Sequence, residues 1–105
     1  MRNRVSHHSH IMIVKSSMPP SVEVDTEAAA VYVRFKRAKV ARTIARPAAN
    51  MHLAVDIDKN GEVVGVEAVG IREVQIGRIL KMAAVSAPNV DFAEARYIPA
   101  GLVTT

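Results

Sequence analysis

Basic side chains are the most conspicuous chemical feature of the sequence. Between positions 28 and 55 the chain carries six bases and no acid. Four of them would face the phosphates of a nucleic acid together on a two-stranded β-ribbon, because such ribbons enter DNA grooves. These four are Arg34, Lys36, Lys39 and Arg42. Charge on an exposed strand also protects a sheet edge from aggregation, and we favour that interpretation over nucleic-acid binding.

Histidines and carboxylates offer two further candidate sites. His7, His8 and His10 lie close together, and imidazoles ligate transition metals, but a terminal tail supplies no fixed ligand geometry. His52 and Glu67, on different strands, are candidates to line a pocket between the subunits of an oligomer. Neither set completes a site, so we assign no metal, no cofactor and no catalytic residue.

The carboxylates at positions 56, 58 and 62 flank a turn and resemble part of a calcium loop. Lys59 interrupts the ligand pattern, and no glutamate closes the loop at the required spacing. Asp58 is therefore predicted to cap the turn. No serine lies in a nucleophile-elbow sequence and no glycine-rich phosphate loop precedes a helix, so an enzyme is not favoured.

Length and composition limit the class of protein. The chain has 105 residues and a net charge of +4, and 50% of its residues are hydrophobic. This length holds one domain. The absence of cysteine excludes disulfides, thiolate metal sites and cysteine nucleophiles. The apolar run at residues 11–14 is far shorter than the roughly 20 residues that span a bilayer, and we expect a cytoplasmic protein.

Hydrophobic periodicity predicts one small domain over residues 21–105, preceded by a tail over residues 1–20 that ends at Pro19 and Pro20. Alternation with period two predicts strands, and a change of period after Gly70 predicts a helix over residues 72–85. Residues 90–98 fit either a helix or a strand. The predicted fold is α+β, an antiparallel meander of four to five strands with one C-terminal helix packed on a face. The predicted strands are 21–25, 29–36, 39–46, 51–57 and 62–69.

Three stretches within residues 23–69 follow a common pattern. They are the acidic turn DTEA at 25–28, the segment AVYVRF at 30–35 and the hairpin VDIDKNGEVVGVE at 55–67. Together they resemble a small bacterial family catalogued as domain of unknown function 2283. The resemblance implies a small antiparallel β-rich domain without an established activity, and a small toxin-like protein encoded nearby as a partner. The family usually has an acid where this chain has Ala29, so no role of that carboxylate carries over.

Three functions compete on this evidence. The favoured hypothesis is a non-enzymatic, self-associating protein-interaction module. A homodimer or higher homo-oligomer is expected, because a sheet with one helix would leave apolar surface uncovered. The first alternative is nucleic-acid binding through the basic ribbon. The second is a small oligomeric ligand-binding protein or enzyme with a pocket at a subunit interface.

Overall fold

The structure is a computed structural model that describes residues 11–99. Its strands are β1 (Met12–Ile13), β2 (Ser21–Asp25), β3 (Ala30–Arg34), β4 (Arg42–Arg46), β5 (His52–Ile57), β6 (Val63–Val69), β7 (Val85–Ser86) and β8 (Arg96–Pro99). The described part of the chain has one α-helix, α1 (Ile76–Met82), and a 3₁₀ turn at Phe92–Glu94. No helix among these residues is long and apolar enough to cross a membrane.

The central sheet has six strands in the order β4-β5-β6-β3-β2-β8. Neighbouring strands are antiparallel except β2 and β8, which run parallel. The expected α+β class is confirmed, but the sheet is mixed and six-stranded rather than an antiparallel meander of four to five strands. The difference arises in residues 90–98, where a 3₁₀ turn is followed by a strand. Because β6 and β8 run in the same direction, the chain cannot join them by a hairpin, and the long connection between them contains α1.

The β5–β6 hairpin lies between β3 and β4 and separates them in the sheet. Residues 35–41, called here the crossover segment, therefore pass the ends of β6 and β5 on the way from β3 to β4. The N–H of Phe35 donates to the carbonyl of Val64 over 2.8 Å, and the N–H of Ala41 donates to that of Ile57 over 2.8 Å. These two bonds hold the crossover segment against the turn of the hairpin.

Alternation places one apolar face of the sheet in the core. The ladder registers bring aliphatic side chains of the four central strands into adjacent rows, and α1 packs over them with Ile76, Ile79 and Leu80. Burying these side chains removes them from water at about 25 cal/mol per Å² of apolar surface. The central rows are Val22, Val33, Val66 and Val55, and then Val31, Ala68 and Leu53.

The helix is shorter than the predicted 72–85 because the chain is constrained at both ends. After β6, the N–H groups of Gly70 and Ile71 both donate to the carbonyl of Ala29, over 2.8 and 3.2 Å. These bonds hold the chain at the β2–β3 turn. At the other end Ala84 has a φ of 58°, which is incompatible with continuing a right-handed helix. The chain then enters β7.

Residues 11–20, assigned to a tail from the sequence, pack against the domain. Met12 and Ile13 of β1 pair in parallel with Val85 and Ser86 of β7. Val14 and Pro20 are buried, and Val14 joins the hydrophobic core. This part of the chain therefore belongs to the domain and positions the residues that follow it.

The second face of the sheet, called here the open face, is polar in its central rows. Tyr32 donates from its hydroxyl to Asp56 Oδ2 over 2.8 Å, and Thr43 Oγ1 donates to Asp56 Oδ1 over 2.5 Å. The registers place small and charged residues around this network rather than an aliphatic layer. One row consists of Thr43, Asp56, Gly65, Arg34, Ser21 and Arg96, and the next of Ala45, Ala54, Glu67, Tyr32, Glu23 and Ile98.

Ala29 is held in the left-handed region with a φ of 52°. The contact between its Cβ and the backbone costs roughly 1–2 kcal/mol there, and glycine avoids it at an entropic cost of roughly 0.5–1 kcal/mol. We expect Ala29→Gly to raise the free energy of unfolding by about 0.5–1 kcal/mol in urea titration. The control is Ala45→Gly on the extended backbone of β4, which should lower it. A loss of stability in both variants would contradict a strained Ala29.

Candidate functional site

The four predicted ribbon residues do not share a ribbon. Arg34 lies on β3 and Arg42 on β4, and β6 and β5 lie between these two strands. Lys36 and Lys39 lie in the crossover segment. The expected pairing of β3 with β4 fails because the apolar β5–β6 hairpin takes the position next to β3, where it buries Val66 against Val33.

Arg34 and Lys36 are engaged by carboxylates of the domain. Arg34 Nε donates to Glu23 Oε2 over 2.8 Å, and its guanidinium lies 4.8 Å from the centre of the Tyr32 ring. The hydrogen bond to Glu23 raises the pKa of Arg34. Lys36 Nζ lies 2.7 Å from both Asp58 Oδ2 and Glu62 Oε1, and these contacts raise the pKa of Lys36.

Asp58 caps the β5–β6 turn and is a buried carboxylate. Its Oδ1 accepts hydrogen bonds from the N–H groups of Asn60 and Glu62, over 2.9 and 3.0 Å, while Oδ2 contacts Lys36. The Lys36 ammonium and then the N–H of Glu62 lower the pKa of Asp58. Residues 11–99 hold no group of three side chains suited to a metal ion, and the three donors to Asp58 come from the turn and the crossover segment.

A groove of about 760 Å³ opens where the crossover segment, the β5–β6 turn and the segment after β1 meet. We call it the sheet-end groove. Within the described part of the chain its lining contains one acid, Glu62, and five bases: Lys15, Arg34, Lys36, Arg37 and Arg96. Apolar side chains lie among them, including Met12, Ile13, Met18 and Phe35. The groove is therefore both cationic and partly apolar.

Three bases of the groove have no acid partner within residues 11–99. Lys15, Arg37 and Arg96 are exposed, and none of them takes part in an ion pair of the described chain. With the one acid of the lining already bound to Lys36, these three leave a net positive field in the groove. Such a field attracts anionic groups and raises their rate of encounter.

Several chain segments far apart in sequence supply these bases. Arg96 reaches the groove because β8 pairs with the start of β2, which places it opposite Ser21. Lys15 reaches it because β1 is anchored to β7. The sequence placed Arg37 in the basic run. It did not predict that Lys15 and Arg96 join it, because Lys15 lies in the predicted tail (1–20) and Arg96 in residues 90–98, whose structure the sequence left open.

His52 and Glu67 lie together on the open face, at the opposite end from the groove. His52 Nε2 is 3.6 Å from Glu67 Oε1, and both side chains are about half exposed. They come from neighbouring strands of the same chain and line no part of the sheet-end groove. His7, His8 and His10 lie outside the described residues.

In comparisons with known proteins, no family model, no curated protein and no solved structure matches this chain. The functional argument therefore depends on the geometry of the chain itself.

Gly65 leaves room for the Tyr32 ring against β6. A Cβ at this position would overlap Tyr32 Cε2, so the ring would have to leave its contacts with Asp56 and Arg34. We expect Gly65→Ala to lower the free energy of unfolding by roughly 1–3 kcal/mol, measured in urea. In a Tyr32→Ala background the same change should cost much less, because no ring remains to be displaced. Equal costs in both backgrounds would show that the ring is not the obstacle.

The Asp58 contacts predict a loss of stability in acid. The folded pKa of Asp58 is lowered, so the unfolded chain binds more protons in the acid range and stability rises with pH there. The contribution is complete above the ordinary carboxyl pKa of about 3.9 and is lost as the pH falls through the lower folded value. Urea unfolding of Asp58→Asn between neutral and acid pH should therefore show a shallower acid slope than the native chain.

The control for this slope is Glu27→Gln, which removes one negative charge from an exposed turn residue. It should leave the acid slope nearly unchanged. An equal change of slope in the two variants would assign the effect to net charge rather than to the buried contacts of Asp58.

Proposed function

We propose that this protein is a non-enzymatic binding module that holds an acidic segment of a partner protein in the sheet-end groove. The observation that carries the proposal is the charge of the lining, which combines five bases with one acid. Lys15, Arg37 and Arg96 have no ion pair within residues 11–99. A carboxylate entering the groove gains charge-assisted hydrogen bonds to these cations without displacing an acid of the domain from them.

The apolar part of the lining favours a protein segment over a nucleic acid. Met18 and Ile13 are 66% and 59% exposed beside the cations, and they offer contacts to apolar side chains that alternate with acids. Binding of single-stranded nucleic acid relies on aromatic faces for base stacking. Phe35, the one aromatic residue that the described chain places in the groove, is buried in the core. Tyr32 is covered by Arg34.

The chemistry of the lining supports binding rather than catalysis. General acid–base catalysis needs a titratable group within reach of the substrate and free to exchange a proton. Among residues 11–99, Glu62 is the only carboxylate that lines the groove and it is held by Lys36, and no histidine of that part of the chain lines it. Ser16 and Ser21 lie in the lining without a neighbouring base to activate them.

The open face gives the expected homodimer little support. Its central rows carry the Tyr32–Asp56 and Arg34–Glu23 pairs, so pairing two copies through it would bury charged groups that are now half exposed. Burying such groups carries a desolvation penalty. The proposal therefore takes a different chain as the partner of the groove.

The partner fits the expectation drawn from the resemblance to the family of unknown function 2283, which implies a small protein partner. The motif at residues 55–67 that carries this resemblance forms the β5–β6 hairpin and its turn. Gly61 and Glu62 of that turn line the groove. The pattern at residues 55–67 would then specify the turn that forms one side of the binding surface.

Direct binding to defined probes tests the proposed function. The protein probe is a short fluorescent peptide that alternates Glu and Val, and the nucleic-acid probes are an oligothymidylate and a mixed-sequence DNA duplex. We expect the protein to bind the peptide more tightly than either nucleic acid in fluorescence anisotropy. Charge reversal in the double variant Arg37→Glu and Arg96→Glu should weaken peptide binding by about tenfold or more, because attraction becomes repulsion.

The matched control is the double variant Arg72→Glu and Arg78→Glu, which reverses two exposed bases that lie outside the groove and so changes the net charge equally. It should leave the affinity for the peptide nearly unchanged. An equal loss of peptide affinity in the control would show that the effect comes from the net charge of the protein, and it would contradict specific binding in the groove. Tighter binding of either nucleic acid would overturn the proposal in favour of a nucleic-acid function.

A further inference from the structure

We infer that the partner segment binds as an added β-strand along the free edge of β1, with its acidic side chains turned toward the bases of the sheet-end groove. This inference rests on the proposed function and adds the conformation and sequence pattern of the ligand. It is argued from the hydrogen bonds of β1, from the position of the groove beside it, and from charge complementarity.

β1 pairs with β7 on one edge only. The N–H of Met12 donates to the carbonyl of Ala84 over 2.9 Å, and the N–H of Val14 donates to that of Ser86 over 2.7 Å. Backbone groups of successive residues in a strand point to opposite edges. The N–H and C=O of Ile13 therefore point away from β7, and within residues 11–99 this small sheet contains no third strand.

The groove is bordered by β1 and not by β7. Residues 12–16 line it, whereas neither Val85 nor Ser86 of β7 does. An extended segment lying in the groove would therefore have the free N–H and C=O of Ile13 within its reach. Peptides that add a strand to a sheet edge gain affinity from main-chain hydrogen bonds and specificity from alternate side chains.

The edge of β1 is protected against strand addition only by its short length of two residues. Ile11 and Ile13 are 56% and 59% exposed there, and β1 contains neither a proline nor a bulge. Longer native edges are protected by charge, proline or a bulge. The edge strand β4 follows that rule, with Arg42 and Arg46 at its two ends. The contrast between the two edges marks β1 as the one suited to accept a strand.

Charge and pleat together define the ligand. In an added strand, side chains alternate between two sides. Ile11, Ile13 and Lys15 have the same parity and are all exposed, so the side chains of an added strand on that side would meet the two isoleucines and Lys15 together. The occupant is therefore an extended segment of about five residues that carries both acidic and apolar side chains.

Backbone methylation of the peptide probe separates strand addition from charge attraction. The Glu/Val peptide and a copy with N-methyl groups on alternate residues carry the same charges, but the copy cannot donate ladder hydrogen bonds from those positions. Two copies are made, methylated in the two alternate registers. We expect at least one of them to bind about tenfold more weakly than the parent peptide. Equal affinity of all three peptides would overturn strand addition.

The protein side of the same bond is tested with Ile13→Pro against Ile13→Val. Proline removes the N–H that points to the free edge and leaves those of Met12 and Val14 bonded to β7. Valine keeps the N–H and the β-branched shape. Peptide affinity should fall about tenfold in the proline variant alone, with thermal unfolding as the check on its fold. Equal affinity in the two variants would contradict the inference.

Amide hydrogen exchange gives a readout in the native chain that does not depend on a variant. The Ile13 amide should exchange more slowly when the Glu/Val peptide is bound, while the amides of Met12 and Val14 change little because β7 already protects them. An unprotected Ile13 amide in the bound state would overturn strand addition. If the charge-reversal variant loses binding but methylation and proline have no effect, the proposed function stands and this inference fails.

Discussion

The buried carboxylate of Asp58 determines where the crossover segment lies and, through it, where the basic groups of the groove lie. It accepts hydrogen bonds from two backbone N–H groups of the turn and contacts the Lys36 ammonium. A buried carboxylate is tolerated only when it is paired and hydrogen-bonded. The same contacts that satisfy Asp58 therefore fix Lys36 at the start of the segment, and the backbone bond from Ala41 to Ile57 fixes its other end. Arg37 follows directly and is held at the rim of the groove.

The two faces of the sheet follow from where large aliphatic side chains are available. The core face takes the valines of β2, β3, β5 and β6, and α1 covers them. The open face takes the alternate positions, where Gly65 leaves room for Tyr32 and Asp56 accepts from its hydroxyl. Burial, followed by the bond to Asp56, raises the pKa of Tyr32, so the hydroxyl remains a hydrogen-bond donor across the neutral range. The face is thereby stabilised by satisfied polar contacts.

Local patterns in the sequence predicted most of the sheet but not its outer parts. Alternation located β2, β3, β5 and β6 closely, and turn chemistry located the turn at residues 58–61. The order of the strands depends instead on long-range contacts between apolar side chains. No local pattern in the sequence shows that β6, rather than β4, pairs with β3. β8 and β1 are short and pair in parallel with distant segments, so periodicity carries little signal for either. For the same reason the basic residues were found as a run, whereas the groove that Arg37 shares with Arg96 and Lys15 was not.

The bases of the groove divide into two groups with different physical roles. Arg34 and Lys36 form ion pairs with Glu23, Asp58 and Glu62, so the fold itself accounts for their presence. Exposed ion pairs contribute little to stability, typically below about 1 kcal/mol, and unpaired exposed bases contribute still less. The fold therefore gains nothing from placing Lys15, Arg37 and Arg96 around one groove, where like charges repel one another. Three segments distant in sequence converge there all the same, beside a strand edge that carries exposed isoleucines. An extended segment with acidic and apolar side chains would contact both the unpaired bases and the exposed isoleucines favourably. The proposed occupant therefore accounts for two features that the stability of the fold does not explain.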